Sequence, residues 1–233
     1  MSSPVKLCWS AVGDAQTSFS HFMRVLRTGG IVDDYALRPG IGLVCVGDYF
    51  DYGAVDDANV AMVGREGTQT LRWLAGQPAD RVIILLGNHD IARVMELAYE
   101  TDATFRAAQY LAREVATDLA NRDEFITRYP NIPTPEVALR DFSTFAVEQR
   151  QLVQELLIAR RVTLAASGVL DGKPVLITHA AVPTHDLEAI GMEPTTDVSA
   201  IASAVNAFLD AAVDAVAPLW QLGEEAALDL APL

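Results

Sequence analysis

Short apolar runs alternate along the chain with longer stretches in which apolar residues recur every three or four positions. The runs "LCWSAV" (7–12), "IGLVCV" (41–46), "VIILL" (82–86), "VTLAAS" (162–167) and "PVLIT" (174–178) are compact, rich in Val, Ile and Leu, and bounded by Gly, Pro or Asp. That is the texture of buried strands. Between them, "SFSHFMRVLRTGG" (18–30) and "REGTQTLRWLAGQP" (65–78) carry a helical period and stop at glycine. The alternation predicts a mostly parallel sheet covered by helices. From 91 to 161 the period is helical, in "DATFRAAQYLAREVATDLANRDEFITRY" (102–129) and "LRDFSTFAVEQRQLVQELLIARR" (139–161), with "PNIPTP" breaking it at 130–135. This block reads as a helical insertion lying over or beside the sheet. A last helix is predicted in "DVSAIASAVNAFLDAAVDAV" (197–216), and a single domain over residues 1–233 is expected.

The first three strands share a feature that periodicity does not demand. Each ends in glycine followed by polar residues able to bind metal: Gly13-Asp14, Gly47-Asp48, and Gly87-Asn88-His89-Asp90. A fourth, "PVLIT", runs into His179. Ligands of open α/β sheets bind at the carboxyl ends of strands, so these four ends are expected to converge on one crevice. Carboxylate, carboxamide oxygen and imidazole are donors that hold Mn, Fe or Zn beside a water. The stretch "VGDYFDYGAVDD" (46–57) fits: Asp48 reads as a ligand, Asp51 as an orienting group, and Asp56 and Asp57 as loop solvation.

Charge narrows the substrate. With 31 acidic and 17 basic residues the net charge is -14, which argues against a nucleic-acid polymer or an anionic membrane as partner. An anionic substrate would need metal ions or a local basic pocket. No apolar run reaches the ~18 residues of a membrane span, and the start lacks the pattern of a secretory signal. Cys8 and Cys45, both in apolar strand-like runs, read as buried thiols. A cytoplasmic location is therefore expected. Trp9, Trp73 and Trp220 read as core aromatics, His185 as a surface loop residue and His21 as a helix-face residue.

These motifs resemble those of the calcineurin-like metallophosphoesterases, in the branch of phosphoprotein phosphatases and symmetric diadenosine tetraphosphate hydrolases. That family carries GD-x-H/Q-G, GD-x-x-D-R-G, G-N-H-D/E and H-A/G-G in this order. Here "GDAQ", "GDYFDYG", "GNHD" and "THAAVP" follow the same order between Gly13 and about Pro183. The resemblance implies an α/β sandwich of sheets flanked by helices and a centre of two divalent metals, with Mn preferred over Fe or Zn. It also implies hydrolysis of a phosphoester in a phosphorylated protein or a nucleotide. Asp48 would bridge the metals, Asp14 with Gln16 would serve one, and Asn88 with His179 the other. His89 would be the general acid, held by Asp51. The alternative is a weakened relative that binds a phosphorylated ligand or acts as a scaffold.

The departures from the pattern motivate that alternative. Gln16 stands where many relatives have His, and Thr17 where glycine is usual. Tyr52 replaces the arginine that grips phosphate, a bidentate contact tyrosine does not reproduce. Substrate contact is then expected from Tyr52 in another form, and from Arg65 or Arg93. The family also has a further metal-binding His well beyond the HAG motif, and no His follows His185 here. Either more chain carries that residue or the second metal site is incomplete.

Overall fold

In the computed structural model the described residues are 7–117 and 122–231. Residues 1–6, part of the start read as lacking a secretory signal, and the 118–121 part of the predicted helical stretch lie outside them. Three strands, β1 (Cys8–Val12), β4 (Ile41–Cys45) and β5 (Val82–Ile84), form a parallel sheet in the order β1-β4-β5. Between β1 and β4 lie α1 (Phe19–Thr28) and a small antiparallel pair, β2 (Val32–Asp33) and β3 (Ala36–Leu37). Helix α2 (Val60–Ala75) links β4 to β5. Ser18 caps α1 by accepting the His21 amide, Gly29 ends it, and Phe22, Met23 and Leu26 turn inward at helical spacing.

One face of this sheet is covered by helices. Leu43, Cys45, Val82 and Ile84 pack there with Leu26, Leu71, Leu74 and Val153. The other face carries a hairpin of β6 (Ala165–Leu170) and β7 (Lys173–Thr178), whose Ala166 and Ile177 meet Val44 and Leu85. The predicted strands at 162–167 and 174–178 thus pair with each other antiparallel. Asp171 and Gly172 turn the hairpin with φ of 51° and 76°, as a two-residue Asp-Gly turn requires. The hairpin stops short of β1, so Trp9 is 45% exposed and Cys8 is also exposed. Both readings of these residues as interior are corrected: the second layer does not extend over the edge strand. Cys45 and Trp220 are buried, and Trp73 packs half-buried against the same core.

The block from 91 to 161 contains no strand among the described residues. It follows the short α3 (Asn88–Ile91) and comprises α4 (Asp102–Thr117), α5 (Arg122–Arg128), α6 (Pro135–Leu139) and α7 (Val147–Ile158). Part of it has its own core, built on Phe105, Leu111, Phe125, Tyr129 and Phe142. The chain leaves the sheet after Leu85 and rejoins it through a parallel bridge from Leu85 to Thr163. After α8 (Thr184–Ala189), helix α9 (Val198–Gln221) buries Ile201, Val205, Leu209, Val213 and Val216 along one stripe. By length and composition α9 could cross a membrane, contrary to the expectation of no such segment. Its buried stripe packs on the hairpin and on α7, and Asp210 and Asp214 pair with Arg160.

Candidate metal and phosphoester site

The four strand ends converge at the carboxyl edge of the sheet. The two central turns approach so closely that only glycine fits: a Cβ on Gly47 would collide with the Gly87 backbone, and one on Gly87 with the Asp48 carboxylate. Gly47 also has φ of +88°, open mainly to glycine. Asp48 and Asp51 follow with φ of 55° and 62°, a left-handed conformation that Asp tolerates better than most residues. The carboxylate of Asp90 ties the two turns together by accepting the amides of Gly87 (2.9 Å), Asp48 (2.7 Å) and Tyr49 (2.9 Å). Burial pushes its carboxyl up to about 6, while the amide donors favour the anion.

Asp48 is the centre of the cluster. It is 5% exposed, and its Oδ1 accepts the His89 amide at 3.1 Å. Its Oδ2 faces His179 Nε2 at 3.5 Å, Gln16 Nε2 at 3.5 Å and His89 Nε2 at 3.9 Å. Burial raises its pKa and Asp14 adds to the rise, with His89 and His179 acting against them. His179 donates from Nδ1 to the Val46 carbonyl at 2.7 Å. In the neutral ring this leaves Nε2 with a lone pair, aimed at Asn88 Oδ1 (3.1 Å) and Asp48 Oδ2 (3.5 Å). Three acceptor atoms facing one another repel unless a cation or an extra proton lies between them. A carbonyl fixing the far nitrogen is also how metal-binding histidines are held. Asp14 stands at the rim, 3.6 Å from His179 Nδ1 and 63% exposed. Gln16 turns its amide nitrogen toward Asp48, so in this arrangement it donates a hydrogen bond, and its oxygen would serve as ligand only after the amide turns over.

Among the described residues, no three His, Cys, Asp or Glu side chains alone form a metal-holding group. The set that gathers here is mixed, with carboxamides contributing. Its chemistry of carboxylate, carboxamide and imidazole nonetheless fits a hard or borderline divalent ion.

A second network lies behind His89. The ring meets Asp51 Oδ2 through Nδ1 at 3.2 Å. The other Asp51 oxygen accepts the Thr144 amide (2.8 Å) and hydroxyl (2.7 Å), both from the helical segment. Arg93 Nη2 meets Asp51 Oδ2 at 2.6 Å, as an ion pair off the hydrogen-bond axis. Burial alone would raise the Asp51 carboxyl, but Arg93, His89 and Thr144 outweigh it and hold it below the usual carboxylate range. Burial likewise acts to lower the His89 pKa. The hydrogen bond to Asp51 and the charges of Asp48 and Asp51 overcome this and raise it.

A model of the calcineurin-like phosphoesterases matches residues 11–195. The chain belongs to that family. No curated protein and no solved structure gives a significant match. Metallophosphoesterases are metal-dependent hydrolases of phosphoesters, and the matched stretch includes all four converging strand ends. In this family member Asp14, Gln16, Asp48, Asn88, His89 and His179 lie together at the carboxyl edge of the sheet, with Asp51 behind His89. Of the residues expected to contact substrate, Arg93 and Arg65 lie apart from this cluster. Arg93 is fully buried, donates to the His89 carbonyl and to Gln149, and lies 4.6 Å over the Phe50 ring, so it supports the site from behind and does not face substrate. Arg65 lines a separate cavity beside α2. Tyr52 is half-buried, and burial followed by the charge of Glu66 raises its pKa, keeping it a neutral phenol. His185 is exposed and pairs with its neighbour Asp186, but it lies in the first turn of α8 and not in a loop, which corrects that part of the reading.

Arg93, Asp90 and Thr144 escaped the sequence reading as supports of the site. The "D" of "GNHD" was a visible signal for Asp90. Thr144 carried none, because its partner lies 93 positions away. Removing one member of a buried pair leaves the other charge uncompensated. Arg93→Met is therefore expected to cost about 3–5 kcal/mol of folding stability, measured by denaturant unfolding. A cost below about 1 kcal/mol would mean that Asp51 finds water or a proton in its place.

Proposed function

We propose that this metallophosphoesterase hydrolyses the phosphoester or phosphoanhydride of a phosphorylated protein or a nucleotide, with His89 as general acid. The observation that carries this reading is the pairing of two features within a few ångströms. One is the set of acceptors Asp48 Oδ2, Asn88 Oδ1 and His179 Nε2, and the other is the His89–Asp51 pair, with His89 Nε2 3.9 Å from the same Asp48 oxygen. Asp14, Asp48, Asn88 and His179 would hold the metals, with Gln16 as a further donor. Two divalent ions, manganese by preference, would supply Lewis acidity and an activated water. Asp51 fixes the imidazole and favours its protonated form, so His89 Nε2 is positioned to give a proton to the departing oxygen. Cytoplasmic residence remains part of this proposal.

The alternative, a phospho-ligand binding or scaffold role, draws on Tyr52 beside Glu66 and on the Gln16 nitrogen facing Asp48. One experiment separates them. Purified protein is assayed for bound metal and for manganese-dependent hydrolysis of an aryl phosphate and of dinucleoside polyphosphates. Hydrolysis that disappears with chelator and returns with manganese is expected. Absence of turnover on both substrates, with phospho-ligand binding retained, would establish the alternative.

A further inference from the structure

Thr144 lies in the turn between α6 and α7, within the helical segment, and is buried. Its neighbours fix it there. Phe142 and Phe145 are part of the segment's own core, with Phe145 edge-on to Phe105 at 5.1 Å. The Gln109 side chain of α4 donates to the Ser143 carbonyl at 3.0 Å. On the opposite side α2 comes so close at Gly64 that a Cβ there would stand 3.3 Å from the Thr144 carbonyl oxygen and from Gln149 Nε2. The side chain, β-branched and stiff about χ1, is therefore anchored from both sides.

What it anchors is Asp51, whose two oxygens serve different partners. Oδ1 takes both Thr144 donors, the hydroxyl at 2.7 Å and the amide at 2.8 Å. Oδ2 is shared between Arg93 Nη2 at 2.6 Å and His89 Nδ1 at 3.2 Å. The contact to His89 is the longest of the four and stands at the far end of the usual range of about 2.7–3.2 Å for such bonds. A carboxylate without the Thr144 hydroxyl turns more freely about its own side-chain bonds. Any turn that draws Oδ2 closer to the Arg93 charge then lengthens its contact with the imidazole. The His89 backbone stays tied to Asp48 Oδ1 by its amide at 3.1 Å, but nothing else described here fixes the direction of the ring's Nε2.

Building on the phosphoesterase reading, we propose that Thr144 is a positioning residue for the general acid: from the helical segment it sets the Asp51 carboxylate, and through it the His89 ring. In the step this serves, the water oxygen bonds to phosphorus and the bond from phosphorus to the leaving oxygen breaks. The electron pair of that bond goes to the leaving oxygen, which takes the proton from His89 Nε2. Thr144 touches none of these atoms. Its effect falls on the transition state in which the proton moves, not on the binding of substrate or metal.

The test uses the full chain with Thr144→Val, which keeps the shape and the backbone amide but removes the hydroxyl, and with Thr144→Ser, which keeps the hydroxyl. With manganese, kcat for phenyl phosphate is expected to fall ~10-fold or more in Thr144→Val, the scale of losing a group that orients a functional side chain. KM and bound metal should stay unchanged. For 4-nitrophenyl phosphate, whose leaving oxygen departs with little help from a proton, the loss should be much smaller. Thr144→Ser should recover most of the rate on phenyl phosphate. A full rate of Thr144→Val on phenyl phosphate, equal losses on the two esters, or no recovery by serine overturns the positioning role and leaves the hydrolytic reading intact. Loss of metal in Thr144→Val also overturns it, because the hydroxyl would then serve the metal centre. A parent chain that turns over neither ester removes the hydrolytic reading and this role with it.

Discussion

Asp48→Asn is expected to release metal and abolish hydrolysis in one step. Asn is nearly the same shape and tolerates the left-handed backbone that Asp48 adopts at φ 55°. Its oxygen can still accept the His89 amide, as Oδ1 does now. What changes is the atom at the Oδ2 position, where an anionic acceptor facing Gln16, His179 and His89 becomes a neutral amide donor. The remaining donors then lack the charge that offsets an ion's dehydration. Metal content by elemental analysis and turnover should fall together, with the unfolding midpoint changing little. A variant that keeps its full metal content would remove Asp48 from the centre of the site.

The second large effect separates ligand from acid. His89→Ala should keep its metal while turnover drops by ~100- to 10,000-fold, the usual worth of a general acid. The loss should shrink as the leaving group becomes more acidic, because such an oxygen departs without a proton. The acid works protonated, and Asp51 and Asp48 shift the His89 pKa upward against burial. The alkaline limb of the rate profile is therefore expected above the ordinary imidazole value of about 6.5. It should disappear in His89→Ala. If the variant instead loses metal, His89 is a ligand. If it loses no rate, the proton comes from elsewhere.

The convergence of Asp14, Asp48, Asn88 and His179 was legible because each follows an apolar run, the first three after a glycine, and such runs mark strand ends locally. The supports were not. Arg93 reads from sequence as a substrate contact, and only the tertiary fold shows it buried against Asp51 and Phe50. Thr144 reaches Asp51 from a distant helix entry that no local period encodes. The parallel alternation was right for β1, β4 and β5 and missed the antiparallel pairing of β6 with β7. There Asp171-Gly172, between two apolar runs, was a usable turn signal. The exposure of Trp9 could not be read at all, because an edge strand left uncovered has the same apolar texture as one that is covered.

The bridge from Leu85 to Thr163 brings the two ends of the helical segment together. A segment with adjacent ends and a core of its own has the anatomy of a tolerated domain insertion. It is the kind of part that recombination can exchange between relatives at little entropic penalty for closing the chain. Thr144 restricts that freedom, since it travels with the segment yet completes the hydrogen bonding of Asp51 on the sheet side. A chimera carrying a foreign segment without an equivalent donor pair would leave Asp51 short of two hydrogen bonds, so the helical segment and the turn that carries Asp51 are constrained to change together.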